Sequence, residues 1–225
     1  MRTIIVSTLV LTGCATAAQS AHTLAPGKTE VTVAGSRNKT TDQSSDDPAI
    51  YSGQVMVRTG VSDATDVGFQ LSRTTGTSDA LWGLTVDPKF RFTEPTAQTT
   101  ISLGIPVGIF FADEPSISST STAPSSGGFD YGGLIVAPTL YVGQQISPTA
   151  ELLIAPRFYL IKPDTHVYDD TDLRAYFGGS VGVRITDPQR HWAVTPELAF
   201  THINAEGSGD STTLLTLGLG ISVGN

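Results

Sequence analysis

The chain reads as an all-β protein, an antiparallel up-and-down transmembrane β-barrel of about ten strands, with eight the nearest variant. Three observations predict this. Charged residues make up 15% of the 225 positions and apolar residues 39%, with 23 glycines and many Thr and Ser filling the difference. A soluble domain carries about a quarter charged residues. Apolar and polar residues alternate through most of the chain, the period of a strand with two unlike faces. The connections alternate strictly between long and short, the asymmetry of a barrel that crosses a bilayer. Past the first residues, no apolar run approaches the ~20 residues of a membrane helix.

The N-terminus comes first. Arg2 precedes an apolar stretch from Ile4 to Leu11, and Leu11-Thr12-Gly13-Cys14 leads into Ala15-Thr16-Ala17-Ala18. A charged start, a short apolar core and small residues at the cut predict a secretory signal peptide. Cys14 is the only cysteine, which excludes an internal disulfide. Its tetrapeptide resembles the lipobox of bacterial lipoproteins. That resemblance implies cleavage just before Cys14 and a diacylglycerol on its thiol. Residues 1–13 are then the signal peptide, 14–28 a lipidated tether and 29–225 the barrel. The alternative is an ordinary signal cut after Ala17, with Cys14 discarded.

Strands are expected at about 29–36, 53–61, 65–73, 81–93, 98–111, 131–145, 149–161, 173–186, 191–202 and 212–223. The fourth alternates most clearly. Trp82, Leu84, Val86, Phe90 and Phe92 share one face, and Gly83, Thr85, Asp87, Lys89 and Arg91 the other. The fifth sets Ile101, Leu103, Ile105, Val107, Ile109 and Phe111 against Ser102, Gly104 and Gly108. The last sets Leu215, Leu217, Leu219, Ile221 and Val223 against Thr216, Gly218, Gly220 and Ser222. Pro88, Pro106, Pro138, Pro156 and Pro196 fall inside expected strands, where each removes a ladder donor or marks a bulge.

The short turns are Ser62-Asp63-Ala64, Glu94-Pro95-Thr96, Ile146-Ser147-Pro148 and Asp187-Pro188-Gln189-Arg190. The long connections, about 37–52, 74–80, 112–130, 162–172 and 203–211, are polar and mostly acidic. An even strand number returns both termini to the short-turn side. Thr216 to Val223 is similar to the C-terminal assembly signal of bacterial outer-membrane barrels, with Val223 where that signal usually holds an aromatic. Together with the lipobox, this resemblance implies a bacterial outer membrane with both termini periplasmic. The implied partners are outer-membrane lipid and the barrel-assembly and lipoprotein-sorting machinery.

If the apolar face meets lipid, the other face lines the lumen. Its charges are Glu30, Arg58, Asp66, Asp87, Lys89, Arg91, Glu151, Arg157, Arg174, Arg184 and Glu197. Six bases and five acids in a narrow lumen are expected to pair across strands, because an unpaired buried charge is costly. The functional alternative is a selective pore, with Arg58, Arg91 and Arg157 attracting anions.

The formal charge of −8 argues against nucleic acid as a partner. Acidic loop residues such as Asp42, Asp46, Asp47, Asp164, Asp169, Asp170 and Asp172 suit a solvated rim, and no calcium-loop motif occurs. Of the four histidines only His166 stands where surface chemistry could occur, and no nucleophile partners it by spacing. No catalytic residue, metal or cofactor is assigned beyond the covalent lipid. The expected function is therefore non-enzymatic, structural or that of a narrow pore. Two alternatives stay open: a lipid-modifying or proteolytic barrel enzyme at the outer rim, and a soluble lipocalin-like ligand-binding barrel.

Overall fold

The computed structural model describes residues 19–41, 50–75, 80–112, 131–163, 173–187, 189, 191–204 and 211–224. Twelve strand segments form one sheet: β1 (Thr29–Thr40), β2 (Ile50–Ser62), β3 (Thr65–Thr75), β4 (Leu81–Arg91), β5 (Thr99–Gly104), β6 (Val107–Ala112), β7 (Tyr131–Val136), β8 (Thr139–Ser147), β9 (Ala150–Pro163), β10 (Arg174–Asp187), β11 (Trp192–Asn204) and β12 (Ser211–Gly224). Every pairing between them is antiparallel. β1 pairs with both β12 and β2, and β9 with β10, so the sheet closes on itself.

The barrel has ten staves. β5 and β6 form one stave, interrupted at Ile105-Pro106, and β4 pairs with both pieces. β7 and β8 form another, interrupted at Ala137-Pro138, and β9 pairs with both. These two breaks correct the expectation of continuous strands at 98–111 and 131–145. Proline has no N–H to give to a ladder. The other three prolines show the same cost locally. The β8–β9 register jumps from Thr139↔Arg157 to Val142↔Ile154, skipping Pro156. The β10–β11 register jumps from Gly182↔Glu197 to Ile185↔Val194, skipping Pro196. Beside Pro88, β4 changes partner from β6 to β5.

The faces sort as the alternation predicts. Leu217 is 66% exposed and Leu219 50%, while Leu103 and Ile105 are half-exposed, all on the outer wall. Val33, Phe69, Leu84, Ile154, Phe177 and Leu198 join them there. Inward positions are buried and largely polar, among them Thr32, Asn38, Thr100, Thr139 and Thr216. An apolar wall outside and a polar lining inside overturn the lipocalin-like alternative, which needs the reverse.

Candidate functional site: the barrel lumen

Inward side chains form layers along the lumen. Near the long connections Ile50, Leu81, Phe110, Ile135, Tyr159, Ile161, Tyr176, Ile203 and Leu214 belong to one buried apolar cluster, with Asn38 and Thr74 buried at the same end. Each of these residues stands in the half of its stave next to a long connection, on the inward face. The charged layer lies nearer the short turns.

Its centre is Arg58 on β2. The guanidinium bonds the carboxylates of Asp66 on β3 and Asp87 on β4. Lys89 lies 3.6 Å from the second oxygen of Asp66. Asp66 and Lys89 are 0% and 1% exposed, so these charges depend on one another rather than on water. Gly68, opposite Arg58, leaves room for the guanidinium, since a Cβ there would stand 2.9 Å from Nη2. Arg184 on β10 reaches Glu30 on β1 at 2.5 Å, spanning the lumen past β11 and β12. Arg157 donates to the Thr139 hydroxyl at 3.0 Å and to the Tyr159 hydroxyl at 3.3 Å. Glu151 and Glu197 are buried, while Arg91 and Arg174 are half-buried. Arg91 turns to the short-turn end, where it donates to the Asp63 carbonyl at 2.6 Å.

The segment read as a tether does not hang free of the barrel over residues 19–28. It crosses the short-turn mouth from the inside. Gly27 N donates to the Gly60 carbonyl at 3.0 Å, and Leu24 N to Asp66 at 3.0 Å. Thr23 donates its hydroxyl to the Asp63 carbonyl at 3.0 Å. Lys89 Nζ donates to the carbonyls of Ser20 and His22, both at 2.9 Å, and Ser102 to that of Ala21 at 2.7 Å. Ser20 donates to Glu151 at 2.9 Å, and Gln19 to the Tyr141 hydroxyl at 2.7 Å. Ala21 is 0% exposed and packs with Tyr141, Leu153 and Ala155. Its backbone groups therefore take the charged layer as hydrogen-bond partner in place of water.

Two glycines make the crossing possible by close approach. A Cβ on Gly60 would lie 2.1 Å from the Ala25 carbonyl oxygen. A Cβ on Gly143 would lie 1.9 Å from a Glu151 oxygen and 2.8 Å from the Ala21 Cβ. His22 faces the Thr100 hydroxyl and lies 3.9 Å from Glu151. Burial holds its pKa below the usual 6.5, with Glu151 pulling the other way and Arg91, Lys89 and Arg184 reinforcing the drop.

Cys14, His166 and the acidic residues of the long connections lie outside the described residues. The inward role of residues 19–24 had no period-2 signal to reveal it. The apolar layer had one: Leu81, Ile161 and Leu214 fall on the polar face of alternating strands.

No protein-family model matches this chain, and no curated protein does. Among solved structures it is similar to an outer membrane channel from Pseudomonas putida F1, at 11% identity and a TM-score of 0.54, over 91% of this chain and 97% of that one. It is also similar to Neisserial surface protein A, at 9% identity and a TM-score of 0.41, over 87% and 95% of the two chains. At 11% identity the likeness to the channel shows the fold alone, a closed antiparallel β-barrel of the kind that outer-membrane proteins have.

Proposed function

We propose that this protein is a non-enzymatic outer-membrane lipoprotein whose barrel is closed at rest by its own N-terminal segment and plays a structural role. The observation that carries this reading is the seating of residues 19–24 across the short-turn mouth, on Lys89, Ser102 and Glu151. The apolar layer at the opposite end supports it. The apolar outer wall suits lipid, and a lipid on Cys14 would hold the N-terminus to the periplasmic leaflet.

Planar-bilayer recording tests the reading. The full-length protein is expected to stay silent. Steady anion-selective current would instead support the narrow pore, with Arg58 and Arg157 as its selective groups, and would overturn the closed lumen. The similarity to a channel makes that measurement the first to do.

A further inference from the structure

The outer wall carries few charges, and they are not evenly placed. Among the described strand residues that face outward, the charged ones are Arg37, Lys39, Arg73, Lys162 and Asp187. Each of the four cations stands within the last four residues of its strand before a long connection. The acid ends β10 at a short turn.

Three of the cations gather on one side of the barrel. Arg37 stands opposite Tyr51, Gly35 opposite Gly53, Gly53 opposite Arg73 and Arg73 opposite Trp82. The Arg73 guanidinium lies over the Trp82 ring, 5.1 Å from its centre. Between Arg37 and Arg73 the wall is dented. A Cβ on Gly53 would meet nothing within 4 Å, and one on Gly35 only a carbonyl oxygen at 3.8 Å. A groove of about 470 Å³ opens at Gly53, lined by Val33, Tyr51, Val55, Arg73 and Trp82, with Arg37 standing beside it opposite Tyr51.

Arginines on a lipid-facing wall need a counter-charge, and a bilayer core offers none. Near the polar boundary, lipid phosphates do, and guanidinium groups bind phosphate through paired hydrogen bonds. Tyr and Trp at the same level suit that boundary too. We propose that this groove binds a phosphorylated, multiply acylated lipid of the leaflet on the long-loop side. Its phosphate sits between Arg37 and Arg73, and one acyl chain lies in the Gly35–Gly53 dent. In the outer membrane that lipid is of the lipid A kind, an acylated disaccharide phosphate. The proposal rests on the membrane-barrel reading above. It deepens that reading by naming the lipid and where it docks.

Native mass spectrometry of the full-length protein, titrated in detergent with defined lipids, reads the binding. Diphosphorylated lipid A is expected to be retained at least tenfold more tightly than dephosphorylated lipid A or phosphatidylethanolamine. The double variant Arg37→Ala/Arg73→Ala should lose that preference, and Gly53→Leu should weaken retention at least fivefold with both cations in place. Lys162→Ala, away from the groove, should bind as the unmodified protein does. Equal retention of phosphorylated and dephosphorylated lipid, or an equal loss in Lys162→Ala, overturns the proposal. Quenching of the two tryptophans by brominated acyl chains in phosphatidylcholine vesicles separates the two failures, since Trp82 and Trp192 both face outward. No quenching sinks the membrane-barrel reading itself. Quenching without phosphate preference sinks this site alone.

Discussion

Lys89, on β4, spends two of its three ammonium protons on the N-terminal segment, donating to the carbonyls of Ser20 and His22 at 2.9 Å each. The same group lies 3.6 Å from Asp66. One lysine thus couples the charged layer of the wall to the segment crossing the mouth. A merely steric plug would need no such link.

Arg58→Ala should be the most damaging single change in the lumen. It leaves Asp66 and Asp87 buried without the guanidinium both of them bond. Removing one member of a buried ionic cluster costs about 3–5 kcal/mol. Urea unfolding of the refolded barrel, followed by tryptophan emission, checks this. The double variant Arg58→Met/Asp87→Asn, which keeps the Asp66–Lys89 pair, should recover most of the loss. A single variant as stable as the unmodified protein would refute the network.

Ser102 is 0% exposed beneath Ala21. In a Cys14→Ser background, Ser102→Cys should react slowly with a membrane-impermeant thiol reagent. Deleting residues 19–24 should raise that rate at least tenfold. Equal rates with and without the segment would mean that it does not cover the site.

Gly60→Val should unseat the segment without deleting it. The added Cβ would fall 2.1 Å from the Ala25 carbonyl, a backbone atom that cannot swing aside. Thiol labelling at position 102 should rise accordingly. Gly132→Val is the comparison, because a Cβ there meets its nearest neighbour at an ordinary 3.6 Å.

The seating should depend on pH through His22. Its pKa in the folded chain is lowered from 6.5, so the seated segment prefers the neutral ring and the unfolded chain binds more protons. That preference is fully present above 6.5 and fades as pH falls below 6.5 through the folded value. Labelling of Ser102→Cys should therefore speed up on acidification. His22→Gln should flatten the profile. A labelling rate equal at pH 8 and pH 5, after correction for thiol ionisation, would rule this out.

Mass spectrometry of the mature N-terminus tests the lipid. The expected product begins at Cys14 and carries acyl mass. An unmodified chain starting at Ala18 would end the lipoprotein reading.

Much of the architecture was legible because a barrel wall has a two-residue period. Leu217 and Leu219 against Thr216 and Gly218 already state which face turns outward. The breaks at Pro106 and Pro138 were visible as prolines, but not the choice between a lost bond and an interrupted stave. That choice depends on how neighbouring staves take up the register. The eleven lumen charges could be named from their face. Their partners could not, because Arg184 meets Glu30 three staves away, a distance that only the closed ring defines. The residues from Gln19 to Leu24 carry neither charge pattern nor strand period, except for one histidine. Their place in the lumen is fixed by backbone groups, which sequence composition does not display.

The closing seam adds a consequence in time. Thr32 on β1 and Ser222 on β12 hydrogen-bond at 2.8 Å across 190 positions of chain. Pairings this remote carry a large loop-closure cost and tend to come late in folding. The groups that hydrogen-bond residues 19–28 stand on β2, β3, β4, β5, β8, β9 and the turn after β2, all of which precede the last three strands. The segment can thus settle while the wall is still an open sheet. In that order it would act as a mandrel on which the unfinished sheet curls until its two ends meet.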